Sequence, residues 1–183
     1  MAEPIFDAKG TLRFDIGRGI VTHKSTTRQV LLPATSLLRL LEVVTPEMRT
    51  QLGEGLGDEI GEAIKTTLGG AEAVRGASLE GLATLFAGEL ALRGFGVPLF
   101  ETWGKALVIR IDNPPIADDE FLSAVTARAI ATASARAAFA TRIAADPLRI
   151  LLASETGTKR ARSLLGEGLG FGEVLSRLQE ARG

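Results

Sequence analysis

Apolar and polar residues alternate along residues 11–33. The apolar positions at the start of this stretch are Leu12, Phe14 and Ile16. A period of two is typical of a half-buried strand. A second apolar run follows the polar segment 22–27 and ends at Pro33, because proline cannot donate to a strand ladder. The pattern predicts a β-hairpin with its tip at 22–27.

A second alternation covers residues 97–115 and predicts another β-hairpin, with its turn at 103–105. On the return strand, the residues of one face are Leu107, Ile109 and Ile111. Segment 148–153, which follows a turn at 146–147, predicts a further strand. We expect an α+β fold in which the two hairpins form an antiparallel sheet packed against several helices.

The segment between the hairpins has helical periodicity. Thr35 or Ser36 is the expected cap of a first helix, and Thr45 followed by Pro46 predicts the start of a second. The stretch Leu-Gly-Gly at 68–70 predicts where that second helix ends.

Three glycines recur every four residues inside the second helix, at Gly53, Gly57 and Gly61, and therefore share one face. An interior glycine costs a helix about 1 kcal/mol relative to alanine. The repeated glycine predicts close packing of another backbone against this face, or an interface.

Three further helical regions follow. A helix is predicted over 73–96, with Ser78 as a cap. An alanine-rich helix starts near 117, and residues 138–144 are either its last turns or a strand. Two short helices are expected in 155–183. We predict a single domain over residues 1–183, with 155–183 as a helical C-terminal extension.

Composition excludes several classes of function. The chain has 183 residues, 45% of them hydrophobic, a net charge of -1, one histidine and no cysteine. No global charge attracts nucleic acid or an anionic membrane, and thiolate metal sites are excluded. The start of the chain lacks the pattern of a signal peptide, and no apolar run is long enough to span a bilayer. We expect a cytoplasmic protein with no membrane span and no nucleic-acid partner.

Residues 148–165 resemble the outline of a phosphate-binding loop, an apolar run followed by a turn and a basic helix. The glycine spacing is wrong, Thr158 separates Gly157 from Lys159, and Glu155 would repel a phosphate. We interpret the segment as a strand-to-helix turn with Ser154 or Thr156 as cap, and we predict no nucleotide cofactor.

Other candidate groups also have a structural interpretation. His23 lies in the predicted hairpin tip and is interpreted as an exposed turn residue, because no second histidine or cysteine could join it in a metal site. The acids at 118–120 suit a magnesium site or a helix start. The basic residues of 158–162 are interpreted as a solvated face.

Four aromatic residues are candidates for an apolar ligand pocket, the alternative being an ordinary core. They are Phe86, Phe95, Phe100 and Trp103.

The order of elements resembles the 4-vinyl-reductase-type domain, which shares its fold with subunits of the TRAPP vesicle-tethering particle. The resemblance covers about residues 30–153. It rests on the glycine spacing of the second helix, the Gly-Phe-Gly at 94–96 and the Asn113–Pro114 hairpin end.

This resemblance implies an α+β domain that often dimerises and has an apolar cavity between helices and sheet for a small molecule or an acyl chain. Many such bacterial domains carry cysteines near the last strands, and this chain has none. A metal-linked or vinyl-reducing role is therefore not predicted.

Three hypotheses follow. The first is a non-enzymatic homodimeric domain that binds an apolar small molecule or a protein partner, without a metal. The second is a structural subunit of a larger cytosolic assembly that uses its alanine- and glycine-rich helices as packing surfaces. The third is a metal-dependent enzyme that uses carboxylates such as Asp118 and Asp119.

Overall fold

The computed structural model describes residues 6–24, 27–104 and 106–180. Its strands are β1 (Leu12–Asp15), β2 (Ile20–His23), β3 (Thr27–Gln29), β4 (Val97–Trp103), β5 (Ala106–Asp112), β6 (Phe139–Ala145) and β7 (Leu148–Ala153). Its helices are α1 (Ala8–Thr11), α2 (Ala34–Val43), α3 (Pro46–Leu68), α4 (Ala71–Gly76), α5 (Leu79–Leu92), α6 (Asp119–Ser134), α7 (Glu155–Gly166) and α8 (Phe171–Glu180). The fold is α+β, as the sequence predicts.

The N-terminal strands form a three-stranded antiparallel sheet of their own, in the order β1-β2-β3. The first turn lies at residues 16–19, where Gly19 has a positive φ of 63°. The predicted reversal within 22–27 is confirmed, because β2 and β3 pair antiparallel with His23 opposite Thr27. The arm before it was predicted as one strand and is instead two, β1 and β2, paired across the turn at 16–19. Alternation identified β1, but it did not reveal the turn at 16–19 that separates β1 from β2. Ser25 and Thr26 lie outside the described residues.

The main sheet has four antiparallel strands in the order β4-β5-β7-β6. The predicted hairpin over 97–115 is confirmed, with Val97 opposite Asp112 and Trp103 opposite Ala106. Residues 138–144 resolve as strand β6, which pairs with β7 and not with the N-terminal strands. Both hairpins of the main sheet thus come from the second half of the chain, and the first predicted hairpin is not part of this sheet.

Helix α3 packs lengthwise on α6, and the three spaced glycines lie at that contact. A Cβ built on Gly53, Gly57 or Gly61 would lie within 2.4–2.7 Å of a carbonyl oxygen of α6. Any side chain at these positions would force the two helices apart.

Local capping agrees with several sequence signals. The Thr45 hydroxyl accepts a hydrogen bond from the Met48 amide, and the Ser78 hydroxyl accepts one from Gly81. Gly69 ends α3 with a φ of 87°.

The helix predicted over 73–96 is instead two helices, because the chain leaves the helical conformation at Ala77 before Ser78 starts α5. Helix α2 begins after Pro33, without the side-chain cap expected from Thr35 or Ser36.

The two faces of the main sheet carry separate apolar clusters. On β5, Ile109 and Ile111 belong to a large cluster with α3, α5 and α6, whereas Val108 belongs to a smaller one. The smaller cluster packs the sheet against α7 and α8 through Ala161 and Val174. Among the described residues, no helix is long and apolar enough to cross a membrane.

Candidate functional site

A cavity of about 470 Å³ lies between the main sheet and the helices on the face that carries the larger apolar cluster. Helices α3 to α6 supply one wall, and β4, β5, β7 and the segment 136–139 supply the other. Most lining side chains are apolar: Ile64, Val74, Leu79, Leu82, Phe86, Phe100, Leu107, Ala129, Ile130, Ala133, Ala137, Ala138, Phe139, Leu152 and Ala153. The volume lies within the range of about 300–1,000 Å³ that is usual for small-molecule sites.

Two of the four aromatic residues predicted for a pocket line this cavity. Phe86 of α5 and Phe100 of β4 meet edge to face, with their ring centroids 5.9 Å apart. This contact fixes both rings where helix and sheet meet.

The other two aromatic residues lie elsewhere. Phe95 is buried against Phe121, with ring centroids 5.7 Å apart. Trp103 is 39% exposed at the β4–β5 turn, where it contacts Phe171 of α8. Both residues lie close to Phe100 in the sequence, and this proximity gave no sign that their side chains lie outside the cavity.

Three polar residues line the cavity near the end of α6: Arg75, Ser134 and Arg136. Arg75 donates from Nη1 to the Ser134 carbonyl oxygen at 2.6 Å and pairs with Glu72. Helix α6 ends at Ser134, its C-cap Ala135 has a left-handed φ of 52°, and Arg136 follows directly. These groups are few against a largely apolar lining, as is common in ligand sites.

A buried ion cluster lies further along α5. Glu89 is 1% exposed, and its Oε2 lies 2.5 Å from Arg93 Nη1 and 3.0 Å from His23 Nε2. Its Oε1 lies 3.1 Å from Lys24 Nζ. This carboxylate therefore joins helix α5 to the end of strand β2.

The interpretation of His23 as an exposed turn residue was wrong, since it is 6% exposed. Burial lowers the pKa of His23 below its usual 6.5, and the charges of Arg93 and Lys24 act in the same direction against the opposing effect of Glu89. Sequence reasoning missed the cluster because Glu89 lies 66 residues from His23. The available signal was an acid and an arginine four residues apart on an apolar helix.

The acids at 118–120 lie at the start of α6. Asp118 accepts from the Phe121 amide and pairs with Arg49 at 3.0 Å. Asp119 accepts from the hydroxyl of Ser123 at 3.1 Å. Within the described residues, no group of three or more His, Cys, Asp or Glu side chains is arranged to hold a metal ion.

The segment with the outline of a phosphate loop forms a strand-to-helix turn. Ser154 caps α7 by accepting from the Gly157 amide at 3.1 Å. Lys159 pairs with Glu155 on the same helix, and Arg162 donates to Thr141 of β6. Glu155, Lys159 and Arg162 of this helix thus have partners within the fold.

A wider groove of about 700 Å³ runs along the other side of segment 137–139. Its charged lining residues are Glu54, Asp119, Glu120, Arg128, Glu155, Lys159 and Arg162. Acids and bases are mixed there, Lys159 pairs with Glu155, and Arg128 and Asp119 pair with residues outside the groove. The apolar cavity is therefore the better candidate for a ligand site.

No protein-family model matches the chain, and no curated protein sequence matches it. Among solved structures, the chain is similar to the phenol-responsive sensory domain of the transcription activator PoxR, which was crystallised with phenol. The TM-score is 0.58 at 14% sequence identity, over 78% of this chain and 84% of that chain. At this identity the similarity shows a shared fold.

Proposed function

We propose that this chain is a non-enzymatic domain that binds an apolar small molecule or an acyl chain in the cavity beneath α5 and α6. The observation that carries the proposal is the cavity itself, about 470 Å³ and lined mainly by apolar side chains. An apolar ligand gains free energy by leaving water for such a site.

Two further observations support the proposal. The fold is shared with a sensory domain whose structure holds phenol, so this architecture is compatible with binding a small aromatic molecule. The resemblance of residues 30–153 to the 4-vinyl-reductase-type domain also implies such a cavity, and we include distant membership of that group in the proposal.

Binding of N-phenyl-1-naphthylamine, a neutral probe that fluoresces in apolar surroundings, tests the proposal. We expect saturable binding to the wild-type protein and at least tenfold weaker binding to Leu82→Trp, because Leu82 lines the cavity. Leu178→Trp is the matched control, since Leu178 is a half-buried leucine of α8 packed against the smaller cluster. No saturable binding to the wild-type protein, or equal affinity in all three proteins, would contradict the proposal.

We propose in addition that the domain is a homodimer. A series of large apolar side chains is exposed before and along α2 and at the start of α3: Val30, Leu31, Leu32, Leu40, Val43, Met48 and Leu52. Exposed apolar residues in such number favour an interaction surface.

Light scattering coupled to size exclusion tests this second proposal. We expect a dimer that Val43→Glu weakens at least tenfold, with Val97→Glu, at another exposed valine, as control. A wild-type monomer at every concentration would refute the dimer, and a much larger oligomer would favour the structural-subunit hypothesis instead.

A further inference from the structure

The cavity carries charge of one sign only. Among the described residues that line it, the charged side chains are Arg75 and Arg136, and none is Asp or Glu. Both lie where α6 ends and the chain crosses to β6, so the positive charge is concentrated at one side of an otherwise apolar space.

The two arginines are not equivalent. Arg75 is occupied, because it donates to the Ser134 carbonyl at the end of α6 and its charge is balanced by Glu72. Arg136 is exposed and makes neither a hydrogen bond nor an ion pair with any other residue in the described part of the chain. Its guanidinium is therefore available to a ligand.

The end of α6 works against an anion, because the last carbonyls of a helix carry partial negative charge. Arg75 offsets this effect by donating to one of those carbonyls. Within the described chain, the positive charge of Arg136 is then the one without a partner at this side of the cavity. Its planar guanidinium can donate two parallel hydrogen bonds to a carboxylate.

We propose that the ligand is an amphipathic carboxylate, with its apolar body in the cavity and its carboxylate on Arg136. This inference rests on the proposed function and specifies the chemistry of its ligand. Phe86 and Phe100 contact the apolar end, and Arg136 selects acids over neutral molecules of the same length. The selection depends on ionic strength, since Arg136 is exposed to solvent.

Displacement of N-phenyl-1-naphthylamine at low salt tests the inference, with decanoate below its micellar concentration and 1-decanol below its solubility limit as competitors. We expect decanoate to displace the probe from the wild-type protein at about tenfold lower concentration than decanol. A difference of this size is what a hydrogen bond to a charged group provides. Arg136→Gln should abolish this preference, and Arg136→Glu should reverse it. The control Arg160→Gln removes an exposed arginine of α7 and should retain it.

The outcomes separate the two proposals. If the probe binds and both competitors displace it equally, the cavity binds apolar ligands and the carboxylate inference is wrong. A preference for decanoate that persists in Arg136→Gln also overturns the inference. If neither the probe nor either competitor binds, the proposed function fails and the inference fails with it.

Discussion

The two faces of the main sheet are covered by helices in different ways. Helices α7 and α8 are short, and they close on the sheet through a small cluster in which Ala161 and Val174 are fully buried. The opposite face is covered by the longer α3, α5 and α6, yet a cavity of about 470 Å³ remains there. The larger apolar cluster therefore fills its space less completely where Phe86 meets Phe100.

A cavity of this kind persists only if the surrounding helices cannot move in to fill it. Two features hold these helices. The glycine face of α3 fixes its distance from α6, and the carboxylate of Glu89 fixes α5 to strand β2. These two contacts position α3, α5 and α6 around the open space.

The largest expected effect comes from removing the charge of Glu89. Glu89→Gln leaves the buried side chain of Arg93 without its counterion, and loss of one partner of a buried ion pair costs about 3–5 kcal/mol. Urea denaturation at neutral pH measures the loss. The control Glu80→Gln, at an exposed acid in the first turn of α5, should change the free energy of unfolding by less than about 1 kcal/mol. Equal effects of the two substitutions would show that the buried cluster is not holding α5.

A pair of alanine substitutions compares the two faces directly. Ala161→Leu overpacks the smaller cluster and should cost about 1–3 kcal/mol. Ala133, which is also buried, lines the cavity, so Ala133→Leu has room for its added methyl groups and should change stability by less than about 1 kcal/mol. Thermal and urea unfolding of both variants measure the difference. If Ala133→Leu costs as much as Ala161→Leu, the two faces are equally well filled.

The glycine face provides a test of similar size. Alanine normally stabilises an exposed helix position by about 1 kcal/mol relative to glycine, and Gly55→Ala should do so because nothing lies within 4 Å of its new Cβ. At Gly57 the Cβ would lie 2.7 Å from the Val125 carbonyl oxygen, so Gly57→Ala should destabilise by about 1–3 kcal/mol. Two substitutions on one helix are thus expected to have opposite signs. Stabilisation by both would contradict close packing of α3 on α6.

Local patterns predicted the regular elements well where one residue type determines the backbone. Thr45–Pro46 and Gly69 set the ends of α3, and the alternation around Ile109 located β5 and both of its faces. The alanine-rich stretch was ambiguous because alanine favours a helix without excluding a strand. The helix is followed by Ala135 in a left-handed conformation, and without a glycine at that position the sequence did not indicate where the helix ends.

The candidate site was harder to predict than the fold. Phe86 and Phe100 were identified, but aromatic residues near each other in sequence gave no indication that Phe95 and Trp103 face other surroundings. Arg136 was not identified at all, since an arginine that follows a helix is usually an ordinary surface residue. Its position at the cavity follows from the path of the chain between α6 and β6.

The smallest expected effect is the pH dependence contributed by His23. Its folded-state pKa is lowered by burial, so the unfolded chain takes up a proton at a higher pH than the folded protein does. The stability contributed by neutral His23 is therefore complete above the usual pKa of 6.5 and is lost as the pH falls below it.

Glu89, Lys24 and Arg93 face the imidazole, and Glu89 is the one of these that opposes the lowered pKa. His23→Gln retains a nitrogen donor for Glu89 but does not titrate, so its free energy of unfolding should fall less than that of the wild type between pH 7.5 and pH 5.5. Urea denaturation at several pH values measures both curves. Parallel curves would mean that His23 has the same pKa in the folded and unfolded states. The buried cluster that joins β2 to α5 would then not disfavour protonation of the imidazole.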